Sequence, residues 1–270
     1  MLTDESRTQH LTPLGSRTWR LAGVLLTVVA LLVGGFFIVR TLFGSSAASE
    51  EQQNQSYQQP VTRLEFDVDS GDISVAPGGD GQISVERTLH FGRTKPTVND
   101  EWAGDALRLS SRCRQDKGCW VNYVVRVPPG VAVLASTQAG NVSIVDITGE
   151  LDLTSTAGDV SVRGGTGAVR VRGEAGNVTG SGLKSTSVDV QTTDGAVSLD
   201  FAVPPTTVRV VAESGSIRIA VPRAGTGVDG YAVHAGTKDG ARKVTVDEDS
   251  AGRHTISAEL VDGDVSVGYA

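Results

Sequence analysis

The chain is poor in several residue types. In 270 residues it has two cysteines, one methionine and an aromatic content of 5%. Two cysteines cannot build a disulfide-rich scaffold or a four-cysteine zinc site. Positive charge is short as well. The 24 Lys and Arg stand against 31 Asp and Glu, a net charge of −7, which argues against a nucleic-acid partner. His10, His90, His234 and His254 are scattered, with neither metal-ligand nor catalytic-triad spacing. The G-x-S-x-G of an esterase elbow does not occur. No catalytic, cofactor-binding or metal residue is therefore assigned, no cofactor is expected, and the chain does not read as an enzyme.

Glycine, at 33 residues, is in excess, but without the G-X-Y period that would mean collagen. The excess follows another rule. Gly140-Asn141-Val142-Ser143-Ile144 recurs at Gly149, Gly158 and Gly167, each nine residues on, and Gly176-Asn177-Val178 follows. Looser copies start at Gly195 and Gly215, and related units at Gly71, Gly81 and Gly263. In each unit two apolar residues two apart point to one face of a strand, and the polar residue between them points to the other. The glycine supplies the turn, helped by the Asn or Asp after it. Nine residues hold a strand and a turn but no helix. Two strands make a coil of 18–20 residues, and such coils bury their apolar faces only by stacking. The expected fold is all-β, a β-solenoid whose core runs from Val142 and Ile144 to Ile217 and Ile219. An antiparallel β-sandwich of short hairpins is the alternative.

Residues 21–39, LAGVLLTVVALLVGGFFIV, carry no charge and are long enough, at 1.5 Å per residue, to cross a bilayer as one helix. Arg7, Arg17 and Arg20 precede the run and only Arg40 closely follows it, so the positive-inside rule puts the N-terminus in the cytoplasm. The layout expected is a cytoplasmic arm (1–20), a transmembrane helix (21–39), a flexible extracytoplasmic linker (40–60) and a β-repeat domain (61–270). The linker contains SSAASEEQQNQSYQQP, which has little to bury. Its small residues offer a cleavage site, but the apolar run is longer than a signal-peptide core, which favours a retained anchor. Residues 41–270 hold 20 basic and 29 acidic side chains, so the exported part is acidic. Only five basic residues are Lys, the habit of a GC-rich bacterial genome.

Cys113 and Cys119 flank the loop CRQDKGC between two strand patterns, Leu107–Leu109 and Val121–Val127. Outside the membrane they are expected to form a disulfide closing a hairpin, with free thiols as the alternative. Two motifs are decoys. Gly225–Gly230 fits G-x-G-x-x-G, but a strand–turn–strand pattern follows where a dinucleotide site needs a helix. The best match to a calcium nonapeptide, at Gly164–Arg172, puts Val169 where the ligand Asp belongs. Among outward-facing positions, Arg163, Arg170 and Arg172 form the candidate contact for an anionic ligand.

The units of form G-[DN]-[VI]-x-[VI], the segment Tyr123-Val124-Val125-Arg126-Val127-Pro128, the later TQAGNVSI and the closing Asp262-Gly263-Asp264-Val265-Ser266-Val267 together resemble the bacterial putative-adhesin domain of unknown function, a β-strand-repeat domain. The resemblance covers residues 60–270. It implies an extracytoplasmic solenoid-like fold, commonly behind a single-span anchor, with no known catalytic residues. The function expected is a non-catalytic surface or envelope interaction module, anchored in its own membrane, whose partner is an envelope polymer or a surface protein. A membrane-tethered sensor working through a partner is the second reading. A polysaccharide hydrolase or lyase is the third, and it needs two convergent carboxylates.

Overall fold

The structure is a computed structural model, and it describes residues 49–270 apart from residue 80, residues 115–117 and residues 225–229. The expected arm and transmembrane helix lie outside the described residues, as does most of the Gly225–Gly230 motif. No helix among the described residues is long and apolar enough to cross a membrane.

Eighteen strands are described: β1 (Ser49–Tyr57), β2 (Arg63–Ser70), β3 (Ile73–Pro77), β4 (Ile83–Phe91), β5 (Thr97–Ala103), β6 (Ala106–Arg112), β7 (Trp120–Val127), β8 (Ala132–Ala139), β9 (Val142–Val145), β10 (Leu151–Ala157), β11 (Val160–Arg163), β12 (Val169–Ala175), β13 (Val178–Leu183), β14 (Ser187–Phe201), β15 (Thr207–Val221), β16 (Tyr231–Asp239), β17 (Arg242–Val244) and β18 (His254–Tyr269). Each coil contributes one strand, or half of a long one, to each of two faces. The first face runs β5–β6–β2–β8–β10–β12–β14–β15–β18–β16. The second runs β1–β4–β7–β3–β9–β11–β13 and then through the C-terminal halves of β14, β15 and β18 to β17.

From coil to coil the strands pair in parallel, which excludes the sandwich of hairpins. Val133, Leu151, Val169, Val188 and Val208 stand in one row, so successive coils are 18, 18, 19 and 20 residues long. All the core positions expected between Val142 and Ile219 are buried. Each is worth roughly 1.5–3 kcal/mol of apolar burial.

The corner between the two faces explains the glycines. Gly71, Gly140, Gly158, Gly176, Gly195 and Gly215 stack in a column, each against the carbonyl of the one before it from Gly140 onward. At Gly158 φ is +143°, and a Cβ there would stand 2.1 Å from the Gly140 carbonyl oxygen. No other residue type fits. Beside this column runs a second one, Asn122, Asp72, Asn141, Asp159 and Asn177. Each side-chain Oδ1 accepts the backbone N–H of the next residue in the column, at 2.7–2.9 Å. Asn141 and Asn177 also donate Nδ2 to the preceding aspartate at 3.2 Å. Asn alternates with Asp, so no two carboxylates are adjacent.

Three expectations are corrected. Residues 49–57 are not linker but strand β1, antiparallel to β4. The strand is almost wholly polar, and it forms because it satisfies the backbone edge of β4 and sends Gln53 and Tyr57 inward. Arg87 on β4 is buried. Its Nη1 meets Asp100 Oδ1 at 2.5 Å and its Nε donates to Gln53 Oε1 at 2.9 Å, while Tyr57 Oη donates to Asp100 Oδ2 at 2.5 Å. Trp102 packs edge-on to Tyr57, with ring centroids 5.6 Å apart. This polar plug closes the N-terminal end of the stack. Second, the Gly81 unit is not a coil, since β4 runs antiparallel to β7 and a Cβ at Gly81 would meet nothing within 4 Å. Third, Cys113 and Cys119 are joined, with Cα atoms 5.8 Å apart, but they do not close a hairpin. They bridge the corner where β6 leaves the first face and β7 enters the second. Chain order is also not stacking order. The coil β6–β7 lies outside β2–β3, and β18 lies between β15 and β16–β17.

Candidate functional site

Strand parity decides which side chains share a surface. In the central outward row of the first face stand Arg108 (β6), Glu65 (β2), Leu134 (β8), Asp152 (β10), Arg170 (β12), Asp189 (β14), Arg209 (β15) and Ser257 (β18). Ion pairs cross the row. Asp152 meets Arg172 at 3.1 Å and Arg170 at 3.6 Å, Glu65 meets Arg108 at 3.8 Å, and Asp189 meets Arg209 at 3.8 Å. The last contact is too long for a hydrogen bond, and the buried Asp189 Oδ1 makes none. These arginines are about half exposed, so the pairs set charge pattern more than stability.

Two shallow depressions lie on this face. The first, about 490 Å³, sits over β8, where Leu134 and Ser136 are short beside Glu65, Asp67 and Arg108 on one side and Asp152, Thr154 and Arg172 on the other. The second, about 450 Å³, is lined by Arg172, Gln191, Thr193, Arg209 and Glu213. Arg172 is the wall between them.

Of the three candidate arginines, Arg170 and Arg172 lie together here. Arg163, on β11, belongs to the second face and does not join them. There it follows a row of hydroxyls, Ser74, Ser143, Ser161, Thr179 and Ser198, on neighbouring strands. Near the N-terminal end of the second face, half-exposed Trp120 stacks on His90 with centroids 4.7 Å apart.

Sequence reasoning missed Glu65, Arg108 and Leu134, which belong to strands outside the nine-residue series. Their signal was strand alternation in LEFDV and LRL, which gives the outward parity but not the neighbour.

Chemically, several acids of the first face are met by arginine: Glu65 by Arg63 and Arg108, Asp67 by Arg112, Asp152 by Arg170 and Arg172, and Asp189 by Arg209. In these contacts an acid faces arginine rather than a second acid, unlike the pair of a glycosidase. Among the described residues no group of three or more His, Cys, Asp or Glu is placed to hold a metal ion. The arrangement offers an open, polar surface of alternating sign, suited to an extended partner rather than an enclosed small molecule.

The profile of a family described as Toastrack DUF4097 matches residues 61–269. No curated protein matches the chain. Similar solved structures include a putative adhesin from Bacteroides fragilis (TM-score 0.48, 12% identity, 82% of this chain and 98% of that one). A putative cell adhesion protein from Clostridium sporogenes is another (0.41, 12%, 82% and 100%). A third is a putative adhesin from Parabacteroides merdae (0.39, 14%, 82% and 96%).

Proposed function

The chain belongs to the Toastrack DUF4097 family, and on that premise we propose that it is a membrane-anchored, non-catalytic interaction module of the bacterial cell surface. Residues 21–39 anchor it as a single span with the N-terminus in the cytoplasm, and residues 49–270 work outside. The observation that carries the reading is the first face, with two open polar depressions sharing the wall Arg172. The Cys113–Cys119 disulfide supports an oxidising location.

The experiment is binding of the full-length protein to whole cells and to isolated envelope polymers. Wild-type binding that Arg172→Glu weakens supports the reading. Absence of binding to every surface, or wild-type affinity in the variant, sends the role elsewhere.

The sensor reading gains one observation. Because β1 is fixed to β4, the segment between the proposed span and the folded domain shrinks to residues 40–48, short enough to couple the two. Inserting about ten Gly/Ser residues after residue 45, which lengthens a flexible linker, abolishes such coupling and leaves surface binding intact.

A further inference from the structure

We propose that the partner of the first face is the first face of a second copy of this chain, related by a two-fold axis parallel to the strands and midway between β12 and β14. The proposal rests on the interaction-module reading and names its partner.

A two-fold along the strands keeps strand direction and reverses stacking order, as in aligned sheet packing. β12 then faces β14 of the second copy, and β10 faces its β15. The central row reads Asp152, Arg170, Asp189, Arg209 over these four strands. Reversed, it brings Asp152 to the second copy's Arg209 and Arg170 to its Asp189, and the same in return. In the next row Arg172 meets Gln191 and Thr154 meets Val211. In the row beyond, Glu174 meets Thr193 and Thr156 meets Glu213. In these rows no like charges stand directly opposite each other. Alternation at one-strand intervals over an even number of strands is what makes the patch complementary to itself. The alternation also stops symmetrically, at uncharged Leu134 on β8 and Ser257 on β18.

The patch, four strands by about seven residues, is on the order of 20 by 23 Å. That is the size of a weak, transient contact, which many copies on one surface would multiply. The two-fold sets the stacks antiparallel, so the ends carrying Ser49 point in opposite directions. Chains anchored through residues 21–39 in two facing membranes meet this way, which makes the contact homophilic, between cells.

The test is clustering of phospholipid vesicles carrying the full-length protein, followed by light scattering. Wild-type vesicles are expected to cluster, and to disperse in about 1 M salt, where the Debye length is about 3 Å. Arg170→Asp with Arg209→Asp makes the row all acidic. Asp152→Arg with Asp189→Arg makes it all basic. Each alone is expected to cluster at least about tenfold more slowly, and mixing the two is expected to restore the rate. The milder pair Arg170→Gln with Arg209→Gln, which leaves the strands unrepelled, is expected to slow clustering as well. Wild-type vesicles that stay dispersed, variants that cluster like wild type, or a mixture that fails to restore the rate would overturn the proposal. Wild-type vesicles that bind bacterial cells but not each other would overturn it and leave the interaction-module reading standing. Vesicles that bind neither would overturn both.

Discussion

Gly158 sits so close over the carbonyl oxygen of Gly140 that a Cβ at 158 would stand 2.1 Å from it. The glycine column therefore fixes how near the coils approach at the corner. Gly158→Ala is expected to cost about 3 kcal/mol or more, from backbone strain and a clash that only moving a coil relieves. Gly81→Ala, with φ at +77° but open space around it, is expected to cost about 1–2 kcal/mol. Denaturant titration of both variants reads the difference. Equal losses would mean that the corner contact adds nothing beyond the φ requirement.

The buried Arg87–Asp100 pair is expected to behave as a unit. Arg87→Met leaves Asp100 facing Tyr57 without its cation and is expected to cost about 3–5 kcal/mol, the usual loss when one partner of a buried pair goes. Arg87→Met with Asp100→Leu is expected to recover much of it. A double-mutant cycle from urea melts measures the coupling.

In the Asx column, Asn141→Asp places a third carboxylate between Asp72 and Asp159 and removes the Nδ2 donation to Asp72. The column is exposed, so repulsion is screened and the expected loss is about 1 kcal/mol. Added salt is expected to recover part of it. Asn141→Ala, which loses the hydrogen bonds but adds no charge, is expected to show no such salt effect.

Alkaline pH is expected to destabilise the stack at both ends, the C-terminal end through Tyr231. Burial, with the neighbouring Tyr269 adding to it, pushes the Tyr231 phenol up to about 12. A group whose folded pKa lies above its unfolded value of about 10 contributes stability that is fully present below pH 10. That contribution is lost as pH rises toward 12. Tyr231→Phe is expected to flatten the fall between pH 10 and 12 only in part, because burial also raises Tyr57 and Tyr123. The urea midpoint across that range reads it.

The coil and its core were legible in the residues because each unit repeats one physical instruction: glycine to turn, two apolar side chains to bury, one polar side chain to expose. The nine-residue spacing also held the answer to the arginines. Consecutive units alternate between faces, so Arg163, one unit ahead of Arg170 and Arg172, had to lie apart from them. Stacking order was not legible. A strand such as Ile256-Ser257-Ala258 carries the same pattern whether it caps the stack or sits inside it, and pattern does not name a neighbour. β1 was hidden for a different reason. SEEQQNQSY has no apolar face, and its partners Arg87 and Asp100 come from distant segments. Gly81 misled because a pentad specifies a strand and a turn but not the direction in which that strand pairs.

Residues 231–244 are synthesised before the strand they rest on. β16 and β17 pair with β18 and must wait for it, while β15 waits beside them with an open edge. As the chain leaves a ribosome or an export channel N-terminus first, at about 5–20 residues per second, that end stays unsealed for a second or more. The inserted strand then closes both gaps at once, which makes this end all-or-none in time as well as in space.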